Sequence, residues 1–224
     1  MSTGQLSAEP SFDPRERFAR LLQRFGAGAH VENVWSLLLR CYSEPDRHYH
    51  NLDHIRTCLE RLDEVRDSLR DPDAAELALW FHDAVYEPTA VDNELRSALL
   101  FDRQLGVFLP TERADHVHAM IMATVHPSDS ADNDARFVAD IDLAGFAQPR
   151  GDFMRVTGLL RRECIHLTDS QFQLGTLAFF RKILGRPTIY LTEYFLAGYE
   201  QRARRNLCDL VGELEAEQAA KTGQ

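Results

Sequence analysis

The residues best suited to chemistry are two histidines and two aspartates embedded in apolar, helix-patterned sequence. His54 and His82 offer imidazole nitrogens, and Asp83 and Asp142 offer carboxylate oxygens. This mixed donor set suits a divalent metal ion such as Mn, Fe, Co, Ni or Zn, with Mg also open, rather than Ca. The doublet His82-Asp83 is the strongest signal. It directly follows three apolar residues, and burying two polar groups there without a partner would be costly.

Three ordered motifs resemble the HD superfamily of metal-dependent phosphohydrolases, which is named for a His-Asp doublet. The motifs are Arg47-x-Tyr49-His50-Asn51-x-x-His54, Trp80-Phe81-His82-Asp83-x-x-Tyr86 and Asn93-Glu94-x-x-Ser97-Ala98. Together they resemble a small group of bacterial HD proteins. The first motif is also similar to the Tyr-His-Asn-x-x-His element of cyclic-nucleotide phosphodiesterases. That resemblance implies that His50 donates a proton and that His54 binds the metal.

Two aspartates compete for the last ligand position, Asp140 and Asp142. HD families tend to place this ligand just before an apolar helical run, which favours Asp142 because Leu143 follows it. Asp140 would then cap a helix or orient a ligand. His126 is another candidate ligand or phosphate binder, with a histidine at the end of a helix as the alternative. A site that used His126 would hold two metal ions.

The remaining candidates would act beside the metal. If the segment is helical, His50 lies one turn from His54 and is free to protonate a leaving alkoxide, unless it is bonded to backbone instead. Glu94 is predicted to orient the attacking water or accept its proton, and Asn93 to bind substrate. Both could instead belong to an ordinary acid-rich first helical turn. Arg47 is predicted to hold a phosphate, with a surface arginine as the alternative.

These residues favour hydrolysis of a small phosphate mono- or diester, plausibly nucleotide-like, by a metal-activated water. The third phosphodiesterase motif is much reduced, and no glutamine and aromatic clamp for a nucleotide base is identifiable, so cyclic-nucleotide specificity is not predicted. Two other classes remain open. One is a metal-bound protein that acts as a sensor or interaction module, and the other is a di-iron oxygenase with extra ligands such as His126.

The amino-acid composition and net charge limit the classes of molecule that the chain can bind. The chain has 224 residues, 44% of them hydrophobic, and a formal net charge of -10. An acidic balance argues against binding to nucleic-acid polymers, while a bound metal would still attract a small phosphorylated substrate. The four cysteines have no Cys-x-x-Cys spacing and are predicted to be reduced. Without a signal sequence or a long apolar stretch, the chain is predicted to be cytoplasmic and independent of membranes, as a monomer or a homodimer.

Helical periodicity predicts one all-α domain over residues 13–215, between a disordered segment at 1–12 and a frayed end at 216–224, and the resemblance implies that this domain is of the HD type. Asp73 and Glu76 are predicted to open the helix that carries the doublet, and Ser170 with Gln173 to form a capping box. A helical bundle with purely structural histidines would show the same apolar stripes. The other predicted helices cover residues 18–25, 31–42, 52–65, 93–108, 112–125, 152–164, 170–184 and 188–215.

Overall fold

The computed structural model describes residues 12–126 and 128–222. Within these ranges the chain forms eleven α-helices and no β-strand, so the all-α prediction is confirmed. The helices are α1 (Pro14–Arg24), α2 (Val31–Tyr42), α3 (Leu52–Val65), α4 (Pro72–Phe81), α5 (Asn93–Gln104), α6 (Thr111–Met122), α7 (Asn133–Asp142), α8 (Arg150–Glu163), α9 (Asp169–Leu184), α10 (Glu193–Gly198) and α11 (Glu200–Thr222).

Several helix starts differ from the sequence prediction. Asp71, not Asp73, caps α4: its carboxylate accepts the Ala74 N–H at 3.0 Å. The capping box of α9 is formed by Thr168 and Gln171, two residues before the predicted pair. Helix α7 was not predicted at all. At the two ends, α11 continues to residue 222, past the predicted start of fraying, and residues 1–11 of the predicted disordered segment lie outside the described residues.

Helix α4 is the centre of the fold. Every residue from Ala74 to Phe81 is buried, and the helix contacts α1, α3, α5, α6 and α7. A helix that is apolar around its whole circumference must be surrounded in this way. Trp80 packs edge-on against Phe18 and Trp35, at ring-centroid distances of 5.4 and 6.0 Å. The doublet therefore follows directly from the most buried element of the molecule.

Helices α4 and α7 run side by side in the same direction. At their starts, the buried carboxylate of Asp134 accepts the N–H groups of Arg70 and Asp71 at 2.9 and 2.8 Å. At their ends, His82 Nε2 and Asp142 Oδ1 are 3.4 Å apart. Each helix has 10 residues, a length of about 15 Å. Two helices of equal length that start together must end together, which brings distant parts of the sequence to one site.

The C-terminal helices form a separate wall of the molecule. Helix α11 packs against α9 and against a 3₁₀ helix, Leu143–Ala147, that directly follows α7. Helix α8 also contacts this 3₁₀ helix. This packing places α8 and α9 opposite the ends of α4 and α7. In the described part of the chain, no helix is both long enough and apolar enough to cross a membrane.

Glu76 should contribute strongly to stability, because it is the one acidic residue in the interior of α4. Its Oε1 accepts from Arg17 and its Oε2 from Arg66, both at 2.9 Å. We expect Glu76→Gln to lower the free energy of unfolding by about 2–4 kcal/mol, as measured by urea denaturation. The matched control is Glu16→Gln, which breaks an exposed pair with Arg20 and should change stability by less than about 0.5 kcal/mol. Equal effects of the two substitutions would contradict this role.

Candidate metal centre and adjoining cavity

His54, His82, Asp83 and Asp142, hereafter the ligand cluster, bring their polar atoms together. The Nε2 atoms of His54 and His82 are 3.2 Å apart, and Asp142 Oδ1 lies 3.4 Å from each. Asp83 Oδ2 lies 3.0 Å from His82 Nε2 and 3.4 Å from His54 Nε2. Neighbouring ligands of an ion bonded at about 2.0–2.2 Å have similar separations. The structure thus gathers the four residues that the sequence nominated as ligands, in an arrangement that fits a divalent metal.

Helix ends position these side chains. His54 lies in the first turn of α3, whose N-cap is Asn51: the Asn51 side chain accepts the Asp53 N–H at 2.9 Å. His82 is the C-cap of α4, and Asp142 is the last residue of α7. The carboxyl end of a helix carries partial negative charge. Two such ends converge here, so the backbone also favours a cation at this point.

A backbone hydrogen bond fixes the ring of His82. Its Nδ1 lies 2.9 Å from the carbonyl oxygen of Leu79, which can only accept a proton. Nδ1 therefore carries the hydrogen, and in the neutral ring Nε2 presents a lone pair to the ligand cluster. Histidines that bind metals are commonly oriented in this way by a partner on the other ring nitrogen. This contact orients His82 in the way that a metal ligand is oriented.

The two carboxylates of the ligand cluster favour a positive charge beside them, as the pKa shifts of its members show. Burial opposes protonation of His82, but Asp83 and Asp142 outweigh it and raise the pKa of the imidazole well above its usual value. Burial would raise the pKa of Asp142, yet hydrogen bonds to His126, His54 and His82 hold it well below the usual range. Protons can supply this positive charge, and a metal ion can replace them.

Sequence reasoning missed Cys58 as a candidate ligand. It lies one turn after His54 on α3, is buried, and places Sγ 3.6 Å from His54 Nε2. One ligand atom each from His54, Cys58, His82 and Asp142 can be chosen so that all lie within 4.8 Å of one another. A thiolate is a good ligand for zinc and other soft ions. The spacing of four residues from His54 was the available signal, because it puts both side chains on one helix face.

Asp140 faces away from the ligand cluster. Its carboxylate accepts the N–H groups of Leu191 and Thr192, each at 2.8 Å, and the Thr192 hydroxyl at 2.7 Å. Residues two apart on a helix lie about 200° apart around its axis, so Asp140 and Asp142 cannot face the same way. The geometry therefore favours Asp142 as the ligand. Asp142 ends α7 and directly precedes the apolar 3₁₀ helix Leu143–Ala147, which agrees with the sequence argument that placed the ligand before an apolar helical run.

His126 lies beside Asp142 as its partner. His126 Nε2 is 2.8 Å from Asp142 Oδ2, while Asp142 Oδ1 faces the two ligand histidines. The two oxygens of one carboxylate are thus divided between the ligand cluster and His126. This contact holds the Asp142 carboxylate in a fixed orientation.

His50 stands next to the ligand cluster with a carboxylate behind it. Its Nδ1 is 2.6 Å from Oε2 of Glu163, a buried residue at the end of α8. The other oxygen of Glu163 accepts the N–H groups of Tyr49 and His50, at 2.7 and 2.8 Å. The ring of His50 stacks on Tyr86 at 4.0 Å and lies 6.0 Å from the ring of His54. His50 precedes the cap of α3, so it is not on the helix as the spacing argument assumed.

Arg47 has a different place from the one predicted. Its guanidinium donates to the carbonyl oxygens of Asp83 and Ala84, at 2.5 and 3.0 Å, and to Glu44 at 2.8 Å. The side chain is buried and does not line the cavity beside the ligand cluster. Arg47 thus fixes the backbone that follows the doublet, and its position gives no support to phosphate binding.

Asn93 and Glu94 both line this cavity. The Asn93 side chain uses both of its polar atoms on Glu87: it accepts the N–H and donates to the carbonyl oxygen, each at 2.9 Å. It therefore closes the loop between α4 and α5. Burial, together with the charges of Asp83 and Asp142, raises the pKa of Glu94. A carboxyl with a raised pKa is better suited to accept a proton near neutral pH.

The cavity has a volume of about 350 Å³ and two unlike sides. One side is polar and includes His50, Glu94, His126 and the two carboxylates of the ligand cluster. The other is an apolar wall formed by the side chains of Phe146, Phe153, Val156, Leu160, Phe179 and Phe180. One cavity therefore connects a candidate metal centre, a candidate proton donor and a surface for an apolar group.

No family model, no curated protein and no solved structure matches this chain. The all-helical fold and a cluster of histidine, cysteine and aspartate side chains able to hold a metal ion are shown by the geometry. What the sequence motifs imply beyond this remains a proposal.

Metal content should separate the two aspartates. We expect protein reconstituted with Mn, Fe, Co, Ni or Zn to carry about one ion per chain by elemental analysis. His82→Ala and Asp142→Ala should lose it, since each removes a donor atom. Asp140→Ala should keep the metal and instead lower the melting temperature, because it leaves Leu191 and Thr192 without their acceptor. Loss of metal only in Asp140→Ala would reverse the assignment.

Proposed function

We propose that the protein is a metal-dependent phosphohydrolase of the HD type that cleaves a small phosphate ester in the cavity. One observation carries this proposal. A histidine with a carboxylate on one ring nitrogen stands 6.0 Å, ring to ring, from His54 of the ligand cluster, and it lines the same cavity as Asp83 and Asp142 of that cluster. A protein that only senses a metal needs the cluster but has no use for an oriented proton donor beside it.

A bound divalent metal would be held by His54, His82, Asp83 and Asp142, and would lower the pKa of a bound water to about 7. Glu94 lines the same cavity and is available to accept the proton of an attacking water.

We assign to His50 the role of proton donor to the leaving group. Glu163 accepts the Nδ1 hydrogen, so Nε2 is the nitrogen that holds the proton destined for the leaving oxygen. Stacking on Tyr86 and the backbone contacts to Glu163 hold the ring in one orientation. Orientation of a histidine by a buried carboxylate is a recurrent means of making it an effective acid. Glu163 acts through His50 and is therefore a positioning residue.

Leaving-group dependence tests His50. We expect His50→Ala to keep its metal but to lower kcat by about 10²–10⁴-fold on an alkyl phosphate ester, whose leaving oxygen needs a proton. The loss should shrink on a p-nitrophenyl ester, whose leaving group departs without protonation. His54→Ala should lose metal and activity together. An equal loss for His50→Ala on both ester types would show that His50 is not the acid.

A double-mutant cycle tests Glu163. We expect Glu163→Gln to lower kcat by about 10–100-fold on the alkyl ester. The double variant with His50→Ala should be no slower than His50→Ala alone, because Glu163 acts through His50. Asp152→Asn, an exposed acid on the same helix, is the matched control and should leave kcat unchanged. Additive losses in the double variant would mean that Glu163 merely supports the fold.

A further inference from the structure

The polar side of the cavity is acidic. Asp83, Glu94 and Asp142 line it, and among the described residues that line the cavity there is neither lysine nor arginine. Glu163 is engaged with His50 and with two backbone N–H groups. Sites built for phosphate groups that carry several charges usually supply arginine or lysine to balance them. Here the metal ion is the main positive charge available.

This balance favours a substrate with a single negative charge. One divalent ion against three carboxylates leaves a small net negative charge, before any substrate enters. A phosphate monoester brings about two further charges near neutral pH, and a nucleoside triphosphate brings more. A phosphodiester brings one. Asp83 and Asp142 expose only 16% and 17% of their side chains, so repulsion from them is stronger than between charges in water, and the difference of one charge matters.

The apolar wall indicates that an ester group of the substrate is apolar or aromatic. Phe146 and Phe180 pack edge to face at 5.7 Å, and Phe179 stands 5.8 Å from Phe180 with 37% of its surface exposed. Val125, which is 45% exposed, also lines the cavity. An aromatic group seated against these rings would cover surface that is otherwise in contact with water. A cavity of about 350 Å³ is at the small end of ligand sites, which suits a small substrate.

We infer that, on the phosphohydrolase function proposed above, the substrate is a small phosphodiester that bears an aromatic or bulky apolar group. Water oxygen bonds to phosphorus, and its proton passes to Glu94. The bond from phosphorus to one ester oxygen breaks, and that oxygen leaves as an alcohol with the proton from His50. The product is a phosphate monoester with one more negative charge than the substrate. The acidic lining disfavours this product, so hydrolysis stops after one step.

Binding of analogues that cannot be hydrolysed tests the ligand class without turnover. Diphenylphosphinate and dimethylphosphinate each carry one charge, and phenylphosphonate carries two in mildly alkaline buffer. We expect calorimetry on the Mn-loaded protein to show at least about 10-fold tighter binding of diphenylphosphinate than of either other anion.

Two substitutions on α9 test where the aromatic group of the ligand binds. Phe179→Ala should weaken diphenylphosphinate binding by about 5–10-fold. Leu174→Ala is the matched control, because Leu174 is on α9, is 57% exposed and does not line the cavity. Its binding should match that of the wild type. Equal binding of the two phosphinates, tighter binding of phenylphosphonate, or equal effects of both substitutions would overturn the inference.

Turnover separates this inference from the proposed function. We expect kcat/KM for bis(p-nitrophenyl) phosphate to exceed that for p-nitrophenyl phosphate by at least about 10-fold, with p-nitrophenyl phosphate accumulating as product. If esters are cleaved but monoesters are preferred, the protein is a phosphohydrolase and the diester inference is wrong. If diphenylphosphinate binds as expected and no ester is cleaved, the ligand class is supported and the hydrolase proposal is wrong.

Discussion

Two largely buried carboxylates at the centre of a helical fold require a positive charge between them. Asp83 and Asp142 expose only 16% and 17% of their side chains, and each lies within 3.4 Å of the same pair of imidazole nitrogens. Like charges in such a place are costly unless paired. The ends of α4 and α7 add partial negative charge from the backbone. Protons on the two imidazoles can supply this charge, and a metal ion among these groups would replace them.

Different parts of the chain supply the chemistry and the shape of the cavity. Helices α3, α4 and α7 carry the ligand cluster, whereas α8 and α9 carry Glu163 and most of the apolar wall. The two parts are joined by the 3₁₀ helix Leu143–Ala147, which follows Asp142 and contacts α8, and by the short segment before α3, where Glu163 holds the backbone and ring of His50. Substitutions in the part of the apolar wall on α8 and α9 therefore remove no ligand atom. This is the usual way in which a rigid site accommodates different substrates.

The sequence predicted those features of the fold and the site that residues close together in the chain determine. Apolar periodicity was sufficient for the all-helical fold, and the doublet stood out because polar groups followed an apolar run. The sequence assigned no role to Glu163, which stands in a charged stretch with Arg161 and Arg162, because it lies 113 residues from His50 and no local pattern links the two. Helix α7 was missed because Asp134 and Asp140 point inward and interrupt its apolar stripe. Both aspartates accept backbone N–H groups from distant segments, so their reason for being buried becomes visible only in three dimensions.

The matched lengths of α4 and α7 limit how this chain can vary. Inserting one residue into either helix would rotate everything after it by about 100° and advance it by about 1.5 Å. His82 or Asp142 would then turn away from its partners, although every residue type in the site was intact. The loop at residues 85–92, which begins after the doublet, is not limited in this way, since its length sets no distance within the ligand cluster. Along α4, one apolar residue can replace another of similar volume, but no residue can be inserted or deleted without turning His82 away from its partners.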